Sequence, residues 1–256
     1  MTALLTAEGV TVSFGGLVAV NAVTLSVPAG AIHGVIGPNG AGKTTFFNAI
    51  AGLVAVAPGH IAFDGQDITG LPPYQRARLG IRRTFQAVQL IPQFTVLENV
   101  LVGLHHDIKE NYFTSLFGWS GRSAAEEEAQ ERALEVLKFL GLTDALFKRP
   151  RELSFAEQRF VEIARALVAR PKLLLLDEPA AGLSPQEVAA INALLRRLRT
   201  EWGTTIVLVE HVLSLVLDVS DRVSVLDNGK LIAEGTPREV ETDPRVRAVY
   251  IGEDHA

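Results

Sequence analysis

Apolar residues in this chain fall into three kinds of run, and each kind predicts a different element. Between residues 4 and 36, short runs such as VTLSV and IHGVIG alternate with Gly and Pro turn signals, which reads as strands. Asp64-Gly65 within GHIAFDGQDIT, residues 59–69, predicts a hairpin. The middle of the chain, about residues 87 to 160, reads as helical. There Ala129, Ala133, Val136, Leu137 and Leu140 recur at helical spacing, Ser123 to Glu126 forms a capping box, Glu126 to Glu128 suit the positive end of the helix, and Gly141 closes the run. From residue 172 the order is strand (KLLLLD), helix (Pro185 to Trp202), strand (TTIVLVE), helix (from about Val212). Continuous apolar strands separated by amphipathic helices indicate a parallel sheet covered on both faces.

One segment resists this reading. HHDIKENYFTSLFGWSG, residues 105–121, has no clear period and reads as an insertion loop whose aromatic residues could meet a partner. Two other stretches, Gly9 to Gly42 and Thr44 to Phe63, lack Asp, Glu, Lys and Arg altogether. Their glycines and prolines fit short strands and a buried helix, not a membrane span. The N-terminus, MTALLTAEGV, lacks the basic and long apolar regions of a secretory signal.

Composition narrows the picture in three ways. A chain of 256 residues, 48% hydrophobic, suffices for one large α/β domain, with or without a subdomain. A net charge of -5 gives no basic field for nucleic acid. The absence of cysteine removes disulfides, thiolate metal sites and cysteine nucleophiles together, and fits a reducing cytoplasmic location.

The chemistry is concentrated in two segments. GPNGAGKTT, residues 37–45, fits G-x-x-x-x-G-K-[ST] through Gly37, Gly42, Lys43 and Thr44, after an apolar strand and before a helix. Glycines let successive N–H groups, including those of Asn39, Gly40, Gly42 and Thr45, turn toward phosphate oxygens, and the helix adds its positive end. In such a loop Lys43 reaches the β- and γ-phosphates and the Thr44 hydroxyl ligates Mg²⁺. The second segment, LLLLDEP at residues 173–179, is a buried strand ending in two carboxylates. Asp177 is placed to hold Mg²⁺ and Glu178 to point at the water that attacks the γ-phosphate. An acidic strand end is common in α/β proteins, but its pairing with the P-loop points to ATP as substrate.

With these residues in hand, the chain resembles the ATPase subunits of ABC transporters over nearly its whole length. Gln86 in RTFQ is similar to the family's Q-loop glutamine, which ligates Mg²⁺ and senses the membrane subunits. LSFAEQR, residues 153–159, resembles the signature that reaches across a dimer to the other subunit's ATP, with Ser154, Ala156 and Glu157 at the contacting positions. His211 in LVEHV is similar to the switch histidine, and Phe14 in VSFGG to the aromatic residue stacked on adenine. The resemblance implies one P-loop NTPase domain over residues 1–256. Its core, residues 1–86 and 161–256, would combine a mainly parallel sheet with an N-terminal antiparallel β-subdomain. Residues 87–160 would form an inserted helical subdomain ending in the signature.

Two positions depart from the family pattern. Phe155 and Ala156 stand where the signature usually has two glycines, with Glu157 at its glutamine. Ser154 to Glu157 is also a capping box, so Glu157 is expected to turn back to the cap and leave the helix end to an anion. Ser184 stands at the usual Asp of the D-loop, and Ser184-Pro185-Gln186-Glu187 reads as a helix start.

Finer resemblance lies in GPNGAGKTTFFNAI, RRTFQAVQLIPQFTVLENVLVG, DEPAAGLSP and the tail GTPREVETDPRVRAVYIGE. These are similar to the ATPase of branched-chain (hydrophobic) amino acid importers, in the longer of that system's two forms. This implies a peripheral subunit on the cytoplasmic face of the inner membrane. Its partners would be a second ABC ATPase or a copy of itself, two transmembrane permease subunits and, indirectly, a substrate-binding protein, with no nucleic acid. A urea importer or a lipopolysaccharide exporter is the nearest alternative. A soluble ABC protein acting on ribosomes or DNA is the alternative of another class, against which stand the single cassette and the lack of a long coiled-coil insertion.

Overall fold

The computed structural model describes residues 3–84, 86–104 and 124–251. The expected insertion loop at 105–121 and the Ser123 cap lie outside these residues. In chain order the first elements are β1 (Ala3–Phe14), β2 (Leu17–Pro28), β3 (Ile32–Ile36), α1 (Lys43–Ala51), β4 (His60–Phe63), β5 (Gln66–Asp67), α2 (Pro73–Leu79), β6 (Ile81–Arg83), α3 (Val96–Leu101), α4 (Ala124–Phe139) and α5 (Phe155–Leu167). They are followed by β7 (Leu173–Asp177), α6 (Pro185–Trp202), β8 (Thr205–Val209), α7 (Leu213–Val219), β9 (Arg222–Asp227), β10 (Lys230–Gly235), α8 (Pro237–Thr242) and α9 (Pro244–Ile251).

The chain divides into two compact units, residues 1–83 with 172–256, and residues 84–171. In the first unit, four antiparallel strands form a sheet in the order β2-β1-β4-β5. Its alternation is legible in β1, where Leu5, Ala7, Val10 and Val12 are buried. The register Leu5↔Phe63 and Ala7↔Ile61 sets β4 beside it, and the hairpin turn falls at Asp64-Gly65, where both residues have positive φ.

The second sheet of this unit has the order β10-β9-β3-β8-β7-β6. β3 runs parallel to β8 and β9, and β7 parallel to β8 and β6, while β10 adds an antiparallel edge. Every residue of β3, β7 and β8 is buried, which is why these segments read as unbroken apolar runs. Helix α1 buries Phe46, Phe47, Ala49 and Ile50 in the core, each phenylalanine contributing roughly 1.5–3 kcal/mol. Its far end meets a buried cation. Arg76 on α2 donates from Nη1 to the carbonyls of Ala49 (2.6 Å) and Ile50 (2.8 Å), so the last carbonyls of α1 are capped by a guanidinium.

In the second unit, α3 starts at a capping box in which the Thr95 N–H donates to Glu98 (2.6 Å) and Thr95 Oγ1 accepts the Glu98 N–H (3.3 Å). Helix α4 buries Ala129, Ala133, Val136 and Leu137, with Leu140 half-buried just past its end. Helix over the whole of 87–160 is not what forms. Residues 87–95 are irregular, with Pro92 among them, and are pinned by buried Asn99, which accepts the Ile91 N–H and donates to the carbonyls of Ile91 and Phe94. Nor does the unit end at residue 160. A boundary there would cut α5, whose buried face is continuous through Val161, Ile163, Ala164 and Leu167.

Candidate functional site

The loop between β3 and α1 is shaped by glycines that no other residue could replace without displacement. Gly37 has φ 150°, and a Cβ there would sit 2.1 Å from the Leu226 carbonyl oxygen. Gly42, the N-cap of α1, has φ 95°, and its Cβ would fall 2.4 Å from the Ala19 carbonyl oxygen. Helix α1 has no side-chain cap and no acidic residue in its first turn, so its amino end faces outward with its positive dipole uncompensated. Lys43 is buried and folds over the loop, donating from Nζ to the carbonyls of Gly37 (2.6 Å) and Pro38 (2.8 Å). Asn39, Gly40 and Thr44 are exposed on the outer side, with Thr45 half-buried.

β8 lies next to β3 in the sheet and β7 next to β8, all parallel, so their carboxyl ends emerge on the same edge as this loop. Asp177 closes β7 and is buried; its Oδ2 accepts from Arg83 Nη2 at 2.7 Å. Burial pushes its carboxyl above the usual range, and the Arg83 hydrogen bond opposes that shift. Glu178 follows in the left-handed region, at φ 49°, a conformation costing a non-glycine residue on the order of 1 kcal/mol. Its N–H is tied to the Val209 carbonyl at 2.8 Å, and its Oε1 lies 2.8 Å from His211 Nε2.

Glu210, which the sequence reading passed over, holds this corner together. One of its carboxylate oxygens accepts the Ala180 N–H (2.7 Å), and the other accepts those of His211 (2.9 Å) and Val212 (3.2 Å). The loops that carry Glu178 and His211 are thereby joined through one buried side chain. Burial raises its carboxyl, and the three backbone donors counteract that. Its only sequence signal is a carboxylate at the end of an apolar strand, immediately before the histidine.

Phe14 ends β1 and is 53% exposed, with Leu17 and Val18 also exposed across the tight turn. The turn at Asn228-Gly229 links this sheet to the P-loop: the Gly229 N–H donates to Ala41 and its carbonyl accepts from Asn21. Ser184 caps α6, its N–H donating to Glu187 at 2.7 Å, as the sequence predicts.

The signature and Gln86 belong to the second unit. Ser154 Oγ accepts the Glu157 N–H (3.2 Å), and the Glu157 carboxylate accepts the Ser154 N–H (2.7 Å), so Glu157 does turn back into the cap. Ala156 is buried beneath this turn. Phe155 is exposed and lies against the Arg159 guanidinium, 5.8 Å from its ring centre. Arg159 itself is buried; it pairs with Glu162 at 2.9 Å and donates to the Gln86 carbonyl at 2.9 Å. The signature helix thus holds Gln86 by its backbone, a link visible in sequence only as an Arg and a Glu three apart in α5.

Three adjacent parallel strands that deliver a P-loop, an Asp-Glu pair and a histidine to one edge define a P-loop NTPase, here with an antiparallel sheet and a helical unit added. Residues 20–181 match the family described as ABC transporter, and residues 230–256 that described as Branched-chain amino acid ATP-binding cassette transporter. The chain belongs to the ABC transporter ATP-binding family. It is 42% identical over 250 residues to the high-affinity branched-chain amino acid transport ATP-binding proteins BraF of Pseudomonas aeruginosa and LivG of Escherichia coli, covering 98% of this chain and of each relative. A probable LivG of Archaeoglobus fulgidus is 40% identical over 93% of this chain and 91% of its own. Among solved structures, the ADP conformation of MJ1267, an ATP-binding cassette of an ABC transporter, superposes with a TM-score of 0.86 at 36% identity, over 98% of this chain and all of that one. The dimeric cassette MJ0796 gives 0.77 at 29% identity, over 91% of this chain and 99% of its own. No helix among the described residues is long and apolar enough to cross a membrane.

Proposed function

We propose that this chain is the ATP-hydrolysing subunit of an ABC importer for branched-chain or other hydrophobic amino acids. It acts as a peripheral subunit on the cytoplasmic face of the plasma membrane. Its partners are a second ATPase subunit and two permease subunits, with a substrate-binding protein delivering cargo. The observation that carries the hydrolytic part is the Glu178–His211 contact of 2.8 Å on the sheet edge that also bears Lys43. The 42% identity with BraF and LivG, in an alignment covering 98% of the chain, supports the cargo class.

In this reading the N–H groups of residues 39–45 and Lys43 hold the phosphates, and Phe14 stacks on adenine. The loop suits a triphosphate because glycine at 37 and 42 lets it turn where a Cβ would strike the Leu226 and Ala19 carbonyls, and because no carboxylate stands in the first turn of α1. Thr44 and Asp177 offer the hard oxygen ligands that Mg²⁺ prefers, and Mg²⁺ bound there would neutralise charge on the phosphate oxygens. Glu178 orients the attacking water and takes its proton, and His211 donates to the γ-phosphate. Lys43 exchanges its carbonyl partners for phosphate oxygens and stabilises charge as it develops. Ser154, Ala156 and Glu157 form the capped start of α5, which turns the positive end of that helix toward the ATP of the facing subunit.

A deletion strain supplied with this gene tests both halves. Uptake of labelled leucine is expected to disappear on deletion and to return with the wild-type gene but not with Lys43→Ala. Unchanged uptake in the deletion strain would remove the cargo assignment. An assembled complex without MgATP hydrolysis would remove the enzymatic one.

A further inference from the structure

The buried pair between Arg83 and Asp177 ties together more than two residues. Both side chains are nearly sealed from water, at 10% and 2% exposure. A carboxylate so placed keeps its charge only beside a partner, and a partner with two donor arms can also set its direction. Arg83 has those arms. Nη2 donates to Asp177 Oδ2 at 2.7 Å, Nη1 donates to Asn48 Oδ1 on α1, and the guanidinium carbon lies 5.9 Å from the centre of the Phe47 ring. Asn48 stands one helical turn beyond Thr44, so the two share a face of α1. One planar group on β6 therefore fixes the end of β7 against the helix face that bears the P-loop threonine.

We propose that Arg83 is a positioning residue for the Mg²⁺-nucleotide site, orienting the Asp177 carboxylate and locking it to α1 through Asn48. The proposal rests on the ATP and Mg²⁺ reading above. Arginine is needed because the ammonium of lysine is a single point charge and cannot hold Asp177 and Asn48 in one rigid plane. Arg83 also ends the first of the two segments that make up the first unit and lies three positions before Gln86. The strand that leads to Gln86 thus carries the group that holds Asp177.

The full-length protein is compared as wild type, Arg83→Lys and Asn48→Ala, the last keeping the charge pair and removing only the tie to α1. Binding of a fluorescent ATP analogue is measured first in EDTA and then across a Mg²⁺ titration, with thermal unfolding as the check on folding. In EDTA both variants are expected to bind within about twofold of wild type, because the P-loop and Phe14 are untouched. The Mg²⁺ concentration for half-maximal enhancement of binding is expected to rise about tenfold in Arg83→Lys and about threefold in Asn48→Ala, as when an outer partner of a metal ligand is lost. Folded variants whose Mg²⁺ dependence matches wild type would overturn the proposal. So would equal losses in EDTA and in Mg²⁺, which would make Arg83 a structural staple. A wild-type protein that binds no nucleotide, or binds it without regard to Mg²⁺, would instead overturn the underlying ATP reading.

Discussion

Glu210 receives the Ala180 N–H at 2.7 Å, joining the loop after β7 to the loop after β8 through one buried carboxylate. Its second oxygen holds the His211 and Val212 N–H groups, so the relative placement of Glu178 and His211 depends on a residue that need not touch substrate. Glu210→Ala leaves three backbone donors without their acceptor, a loss of about 2–4 kcal/mol. We expect kcat for ATP to fall about 100-fold from misplacement of the two loops, with nucleotide affinity within about threefold of wild type. Steady-state ATPase assays alongside equilibrium nucleotide binding measure this directly.

The altered signature makes a second prediction. Phe155 packs on Arg159, which holds the Gln86 carbonyl, so in this chain the signature helix is stiffened where the family pattern has two glycines. The site that uses this signature is therefore expected to turn over more slowly than one with glycines. Replacing Phe155 and Ala156 with glycine should raise ATPase in the assembled complex, at a cost of about 1 kcal/mol per glycine in helix stability. Unchanged or lower turnover in the folded double variant counts against it.

His33, buried on β3, predicts a pH dependence of stability. Its Nε2 meets Ser224 Oγ at 2.9 Å, and burial, with a further contribution from the Arg222 charge, lowers its pKa to about 4. The native state thus keeps the ring neutral after the unfolded chain has begun to protonate it near pH 6.5. The unfolded state then binds more protons, and stability is lost as pH falls from about 6.5 toward 4. Between pH 7 and pH 5 this one group should cost about 2 kcal/mol. Urea unfolding of wild type and His33→Gln at both pH values should show a correspondingly smaller loss in the variant.

What could be read from sequence was what is decided locally. The P-loop, the Asp64-Gly65 hairpin and the capping boxes at Ser154 and Ser184 follow from residue types at short fixed spacings, and each forms as expected. So does the parallel core, because strands covered on both faces must be apolar throughout. Arg83, Arg159 and Glu210 could not be read, since each works through a partner 94, 73 or 30 residues away, respectively. A buried charge has no periodicity of its own, and only the fold reveals what neutralises it. Helix was expected through residues 87–95 as part of the stretch from about 87 to 160; the structure instead forms an irregular segment there, held by Asn99.

The Glu178→Gln variant tests the account most directly. It leaves the P-loop, Lys43 and Asp177 in place and removes only the carboxylate that orients and deprotonates water. ATP binding and ATP-dependent dimerisation should match wild type, while kcat falls at least about 100-fold. Hydrolysis at the wild-type rate in a folded, ATP-binding Glu178→Gln protein would contradict the assignment of this sheet edge as the centre of ATP hydrolysis.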